Sequence, residues 1–167
     1  MFEKISKEVW GKFFKENVSD SDEYINGINS YDSIVLPERK TIGSAGYDFI
    51  APMEIRLPAK VTNIIPTGIK VNLNEFEENV FLALYPRSSL GFKYGFKLSN
   101  TVGIIDKDYY NNESNEGHIL LAVTVEVPTI IEKGSGICQG IIQPFLTFKN
   151  EKNVTTARTG GIGSTNK

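Results

Sequence analysis

Between residues 33 and 146 the chain consists of short apolar or alternating runs, and no helical period fills the gaps between them. The runs fall at 33–36, 47–51, 53–57, 61–65, 68–73, 80–85, 102–105, 118–127 and 136–146. Turn residues separate them: Pro37, Gly43, Pro52, Pro58, Pro66, Gly68, Pro86, Gly91, Gly95, Pro128 and Gly134. Many short strands at this spacing predict an all-β sandwich or barrel. The missing crossover helices argue against a doubly wound sheet. One helical turn is predicted around 88–94.

The flanks read differently. In residues 2–16, Phe2, Ile5, Val9, Trp10, Phe13 and Phe14 recur at helical spacing, with lysines and glutamates between them. That pattern predicts a short helix docked on the body; a partner-binding helix is the alternative. Residues 18–33 are polar and predicted to form a linker or irregular loop, with the acidic stretch Asp20 to Glu23 solvated. The tail from Asn150 to Lys167 is polar and Gly-rich and reads as an arm. Its segment Arg158 to Thr165 combines glycines with an arginine and hydroxyls. Glycines let a backbone wrap close to a ligand, and consecutive amides form an anion-binding concavity. The expected organisation is therefore 1–33, extension and linker; 34–149, β domain; 150–167, arm.

Composition narrows the function. A chain of 167 residues fits one domain, and a net charge of −2 gives no global reason to bind a nucleic-acid polymer or a membrane. Cys138 is the only cysteine and His118 the only histidine, which excludes an intrachain disulfide and two-His zinc motifs. No apolar run approaches the ~20 residues that span a bilayer. The start, Met1-Phe2-Glu3-Lys4, lacks the apolar region of a signal peptide. Together these features predict a cytoplasmic enzyme or binding protein.

The chemistry concentrates between Tyr85 and Tyr109. Arg87, Ser88 and Ser89 offer donors for an anion. Asp106 is a lone carboxylate at the end of an apolar run, and Tyr109 is an aromatic plate three residues on. A base beside an anion site suggests a phosphate ester and a water to attack it. Asp106 in isolation would also suit a turn, and Tyr109 a core tyrosine.

Five segments then fall into one order: Ala45 to Asp48, Pro86 to Gly91, Gly103 to Tyr109, Gly134 to Gln139, and Arg158 to Thr165. In this order and spacing the sequence resembles the trimeric dUTPase (dUTP diphosphatase) family over about residues 34–165. The resemblance implies a distorted β jelly roll, a homotrimer with active sites at subunit interfaces, and hydrolysis of dUTP to dUMP and pyrophosphate with Mg2+ on the triphosphate. It implies that Asp106 is the catalytic base and that Tyr109 packs under the deoxyribose. A ring pressed there leaves no partner for a 2′-hydroxyl. Tyr110, next along, should point to the opposite face. Asn100 would complement uracil, helped by backbone groups up to Gly103. Ser88 would hydrogen-bond the triphosphate near the α–β bridge. Ser89 belongs to the same block, and Arg87 would supply phosphate-side or interface charge, or a structural salt bridge. Gly91 would permit a tight turn. Gln139 would be a phosphate-side contact, and Asp48 would meet the metal indirectly, through water. In the arm, Arg158, Gly161, Ile162, Gly163, Ser164 and Thr165 would close over substrate.

Several positions depart from the family pattern. Ile162 stands where an aromatic usually stacks on uracil. Ser135 and Gly136 replace an acidic residue and an arginine, so an ion pair must be made otherwise. Residues Tyr110 to Gly117 form a longer polar turn, and residues 1–33 are additional. The rival enzyme is a dCTP deaminase-like jelly roll, whose catalytic glutamate lies in the strand after this turn. Here Gly117 to Thr124 contains no glutamate, and the next is Glu126. A nucleotide-gated regulatory binding protein is the alternative of another class.

Overall fold

The chain opens on a strand rather than a helix. β1 (Phe2–Lys4) is followed by α1 (Lys7–Asn17), α2 (Ser21–Asn29) and a 3-10 turn at Ser30–Ser33. The helix predicted over 2–16 begins only at Lys7, because Ser6 caps it: its Oγ accepts from the Val9 N–H at 3.2 Å. The stretch expected to be a linker is largely helical for the same kind of reason. Asp20 Oδ1 accepts from the N–H groups of Asp22 and Glu23 at 3.0 and 2.9 Å. Asp22 and Glu23 also suit the positive end of the helix dipole. The acids that looked merely solvated therefore start a helix.

Ten further strands follow: β2 (Tyr47–Ile50), β3 (Ile55–Leu57), β4 (Asn63–Pro66), β5 (Ile69–Val71), β6 (Val80–Pro86), β7 (Lys97–Leu98), β8 (Gly103–Ile105), β9 (Leu120–Thr124), β10 (Thr129–Ile131) and β11 (Gly136–Pro144). Between β6 and β7 lies α3 (Ser88–Tyr94), the predicted helical turn. The run at 33–36 is not a strand; Ile34 is buried there but Val35 and Leu36 are exposed. β7 and β10 were not expected, being two and three residues long. The structure is a computed structural model that describes residues 1–151 and Gly160.

The strands pair antiparallel throughout, in the orders β2-β11-β6-β8, β4-β9-β7, β3-β10 and β1-β5. Burial alternates along β3, β5, β9 and β10, as it does in strands with one face on a core. Ile65, Leu82, Leu121 and Ile137 form that core, and Phe2, Ile5, Trp10 and Phe14 belong to the same cluster. The extension is thus docked, not free. No helix among the described residues is long and apolar enough to cross a membrane.

Candidate active site

Asp106 leaves the end of β8 with an extended backbone (φ −81°, ψ 162°) and begins a single 3-10 turn, Lys107–Tyr109. It is exposed. The next residue fixes the turn: Lys107 Nζ donates to the carbonyls of Phe76 and Glu78, both at 2.8 Å. A cation gripping two carbonyls of a neighbouring loop holds the backbone that carries Asp106. Tyr109 ends the turn with only 5% of its surface exposed. Its hydroxyl donates to the His118 carbonyl at 3.0 Å and accepts from Asn115 Nδ2 at 2.9 Å. Tyr110 goes elsewhere, as expected for its neighbour. Its hydroxyl donates to the Glu3 carboxylate at 2.8 and 2.9 Å, which raises the phenol pKa. Asn100 is exposed in the turn after β7, where Thr101 adopts a positive φ of 67°. Gly103 is buried and pairs with Leu84.

The second group gathers around the far end of β6. Gln139 sits in β11 between Asp48 on one side and Tyr85 on the other. Arg87 precedes α3, with Nε 4.0 Å from Asp48 Oδ1. Ser88 and Ser89 are exposed in the first turn of α3, where backbone N–H groups have no intrahelical acceptor. The tight turn assigned to Gly91 is made instead by Gly95, which closes α3 at φ 63°; Gly91 lies inside the helix. The missing ion pair of the fourth segment also has a counterpart here. A Cβ on Gly136 would lie 2.0 Å from Arg87 Nη1 and 2.7 Å from its Cδ. Gly136 therefore leaves the space that the Arg87 side chain fills.

Asp106 and Arg87 stand apart along β6. Leu82 of β6 pairs with Ile105, whereas Pro86, the last residue of β6, pairs with Cys138. From Leu82 to Arg87 the strand rises about 17 Å, so Asp106 and Arg87 flank opposite ends of it. The tail positions Arg158, Gly161, Ile162, Gly163, Ser164 and Thr165 lie outside the described residues.

Other features narrow the chemistry. Glu126, the nearest candidate for a deaminase base, is bound at the surface by Lys97 at 2.9 Å, which lowers its pKa. Among the described residues no group of three or more His, Cys, Asp or Glu is arranged to hold a metal. A groove of about 700 Å³ between α2 and β3, lined by Asp20, Glu23, Arg56 and Lys133, contains none of the predicted site residues. Sequence reasoning missed the anchoring role of Lys107, the Arg87 seat over Gly136 and the contact from Glu3. Of these, only Gly136 carried a signal, a glycine where a side chain was expected.

Comparison with known proteins follows the same outline. The family model for dUTPase matches residues 32–166. Deoxyuridine 5′-triphosphate nucleotidohydrolase of Lactococcus lactis subsp. lactis is 42% identical over 135 residues, covering 79% of this chain and 88% of that one. A crystal structure of dUTPase from Streptococcus mutans superposes with a TM-score of 0.65 at 32% identity, covering 89% of this chain and 98% of that one. A mutant dUTPase from phage phi11 of S. aureus, described with a structural Mg(II) ion, gives a TM-score of 0.57 at 19% identity, over 75% and 92% of the two chains. The all-β jelly roll is the fold these structures share.

Proposed function

The chain belongs to the dUTPase family and hydrolyses dUTP to dUMP, and we propose that Asp106 is the base of that reaction, in a site completed by other copies of the chain. The observation that carries the reading is the exposed carboxylate on a pinned turn, three residues before a tyrosine locked by two hydrogen bonds. Asp106 takes a proton from a water held in line with the α-phosphorus. The new P–O bond forms as the bond to the bridging oxygen breaks, releasing pyrophosphate. Catalysis of this kind is mostly positioning and charge stabilisation.

The nucleoside is read by the Asn100–Tyr109 segment. Asn100 and the backbone to Gly103 face uracil, and the Tyr109 ring lies against the deoxyribose. The triphosphate falls to Arg87, Ser88, Ser89 and Gln139. Because Arg87 stands about 17 Å along β6 from the Asp106 end, the register of one chain does not bring the base and this arginine together, and each chain supplies them to different sites. Homotrimeric assembly, with each site shared between copies, joins them. The arm residues Arg158, Gly161, Ile162, Gly163, Ser164 and Thr165 close the site.

Mg2+ fits this chain as an ion carried by the substrate. No cluster of three ligating side chains among the described residues builds a cage for it, and magnesium keeps waters and takes phosphate oxygens readily. Asp48, partly exposed beside Arg87, would hold one of its waters. Bound there, the ion would neutralise charge on the phosphates.

The test is Asp106→Asn. Pyrophosphate release from dUTP should fall by about 10²–10⁴-fold, the usual worth of a general base, while binding of a non-hydrolysable dUTP analogue by calorimetry is retained. Turnover like that of the unmodified enzyme would exclude Asp106 as the base. Ammonia release from dCTP would point to the deaminase alternative.

A further inference from the structure

The polar turn after Tyr109 is held from outside by the extension. Residues Asn111, Glu116 and Gly117 in this loop take positive φ values of 54°, 57° and 81°. Non-glycine residues in that region need surroundings that impose it. Inside the loop, buried Asn112 donates to the Tyr109 carbonyl at 2.9 Å and to Asn115 Oδ1 at 2.8 Å. Asn115 in turn donates to the Tyr109 hydroxyl. The loop is therefore the direct support of the Tyr109 ring.

Its outer holds come from the first six residues and from β5. The Glu3 carboxylate accepts from the Tyr110 hydroxyl. The Ser6 N–H donates to Glu116 Oε2 at 3.0 Å. Lys70, the strand partner of Glu3, donates to Asn111 Oδ1 at 2.7 Å and reaches Glu116 Oε2 at 3.4 Å. At the base of the loop, His118 Nε2 accepts from the Gly68 N–H at 3.0 Å, with the Trp10 and Phe13 rings 6.0 and 5.9 Å away. Glu3 and Ser6 both precede the region matched by the family model.

We infer that Glu3 and Ser6 are positioning residues for substrate selection: acting through Tyr110 and Glu116, they fix loop 110–117 and so the Tyr109 ring. This rests on the proposal that Tyr109 meets the sugar. A plate that excludes a 2′-hydroxyl works only if it cannot give way, and small misplacements of a substrate contact are costly. The extension thus acts as a strap on the specificity tyrosine as well as packing into the core.

Two full-length variants cut the strap. Tyr110→Phe removes only the hydroxyl that reaches Glu3. Glu116→Ala removes the acceptor of Ser6 and Lys70. KM and kcat are measured for dUTP and UTP, with amide hydrogen exchange across 110–117. Each variant should speed exchange in the loop, raise KM for dUTP, by about five-fold in Tyr110→Phe, as for one lost hydrogen bond, and by at least as much in Glu116→Ala, and lower the preference for dUTP over UTP. kcat should stay within about two-fold, because the strap acts on positioning and not on the base. Glu116→Asp should recover part of the loss. Unchanged KM and preference in both variants would overturn the inference, whether or not the loop loosens. Should Glu116→Ala fail to fold, Tyr110→Phe, which keeps its ring, decides alone. Tyr109→Ala separates the two levels. If it too leaves the preference unchanged, the sugar assignment is wrong and the inference falls with it. If it abolishes the preference while the strap variants do not, only the strap is wrong.

Discussion

Trp10→Ala should destabilise the whole domain by about 4 kcal/mol, within the usual range for deleting a buried tryptophan. Trp10 is 1% exposed, packs edge-on against Phe14 with centroids 5.0 Å apart, and lies 6.0 Å from His118. Its Nε1 donates to the Gly27 carbonyl at 2.9 Å. That carbonyl also accepts from Ser30 Oγ at 2.7 Å, so losing the indole does not orphan it. The cost is therefore mostly lost burial and the cavity left behind. For a chain of 167 residues the unfolding entropy is about 350 cal/mol/K, so about 4 kcal/mol corresponds to a drop in Tm of about 11 °C. Trp10→Phe, which keeps an aromatic ring and loses the donor, should cost much less. Calorimetry at one fixed protein concentration measures both, since the proposed assembly would link Tm to concentration. A loss below about 3 °C for Trp10→Ala would refute the claim that the extension is part of the core.

Two further outcomes follow from the structure. His118 is held neutral, its pKa pushed down to about 3 by burial while Glu116 pulls the other way. The unfolded chain takes up that proton near pH 6.5, so the contribution to stability is complete above this pH and falls by about 1.4 kcal/mol per unit toward pH 3. Urea unfolding at a series of pH values should show a shallower slope in His118→Gln, which keeps an acceptor for Gly68; equal slopes would refute the assignment. Mixing Asp106→Asn and Arg87→Ala copies tests shared sites. If Asp106 and Arg87 reach one substrate from different copies, equal mixing after unfolding and reassembly should restore roughly a quarter of full activity, because random assembly pairs two intact halves at that frequency. No recovery above the separate variants would show that both residues act from one chain.

The β fold was legible because alternation survives in even three-residue strands such as Ile55-Arg56-Leu57, and because prolines and glycines mark their ends. The extension was harder. Phe2 and Ile5 fit a helical period with Trp10, yet Phe2 belongs to a strand paired with Val71, a partner about seventy residues away that no local pattern contains. α2 was hidden because its polar first turn resembles a loop unless Asp20 is recognised as a cap. At the site, Asp106, Tyr109 and Arg87 stand out as residue types at a spacing, but their separation along β6 depends on strand register, which one sequence does not display. The same holds for Gly136. Its lack of a side chain reads as a lost ion pair until the Arg87 side chain is found in the vacated space.

The N-terminal segment, which precedes the region matched by the family model, and the loop after Tyr109 look independent in sequence. In the fold they are bonded to each other. Glu3 meets Tyr110, Ser6 meets Glu116, and Lys70 links both sides through β5. A loop with residues at positive φ would gain freedom if left alone, and the tyrosine it supports would gain freedom with it. An added segment with no loop to grip would bury its apolar face but leave the Glu3 carboxylate and the Ser6 amide without these partners. Each segment therefore supplies what the other lacks, and the pair forms one bonded unit beside Tyr109. If Tyr109 meets the sugar as proposed, the worth of this unit should appear in how firmly substrate is held rather than in how fast the phosphorus is attacked, since the extension and β5 grip Tyr110, Asn111 and Glu116.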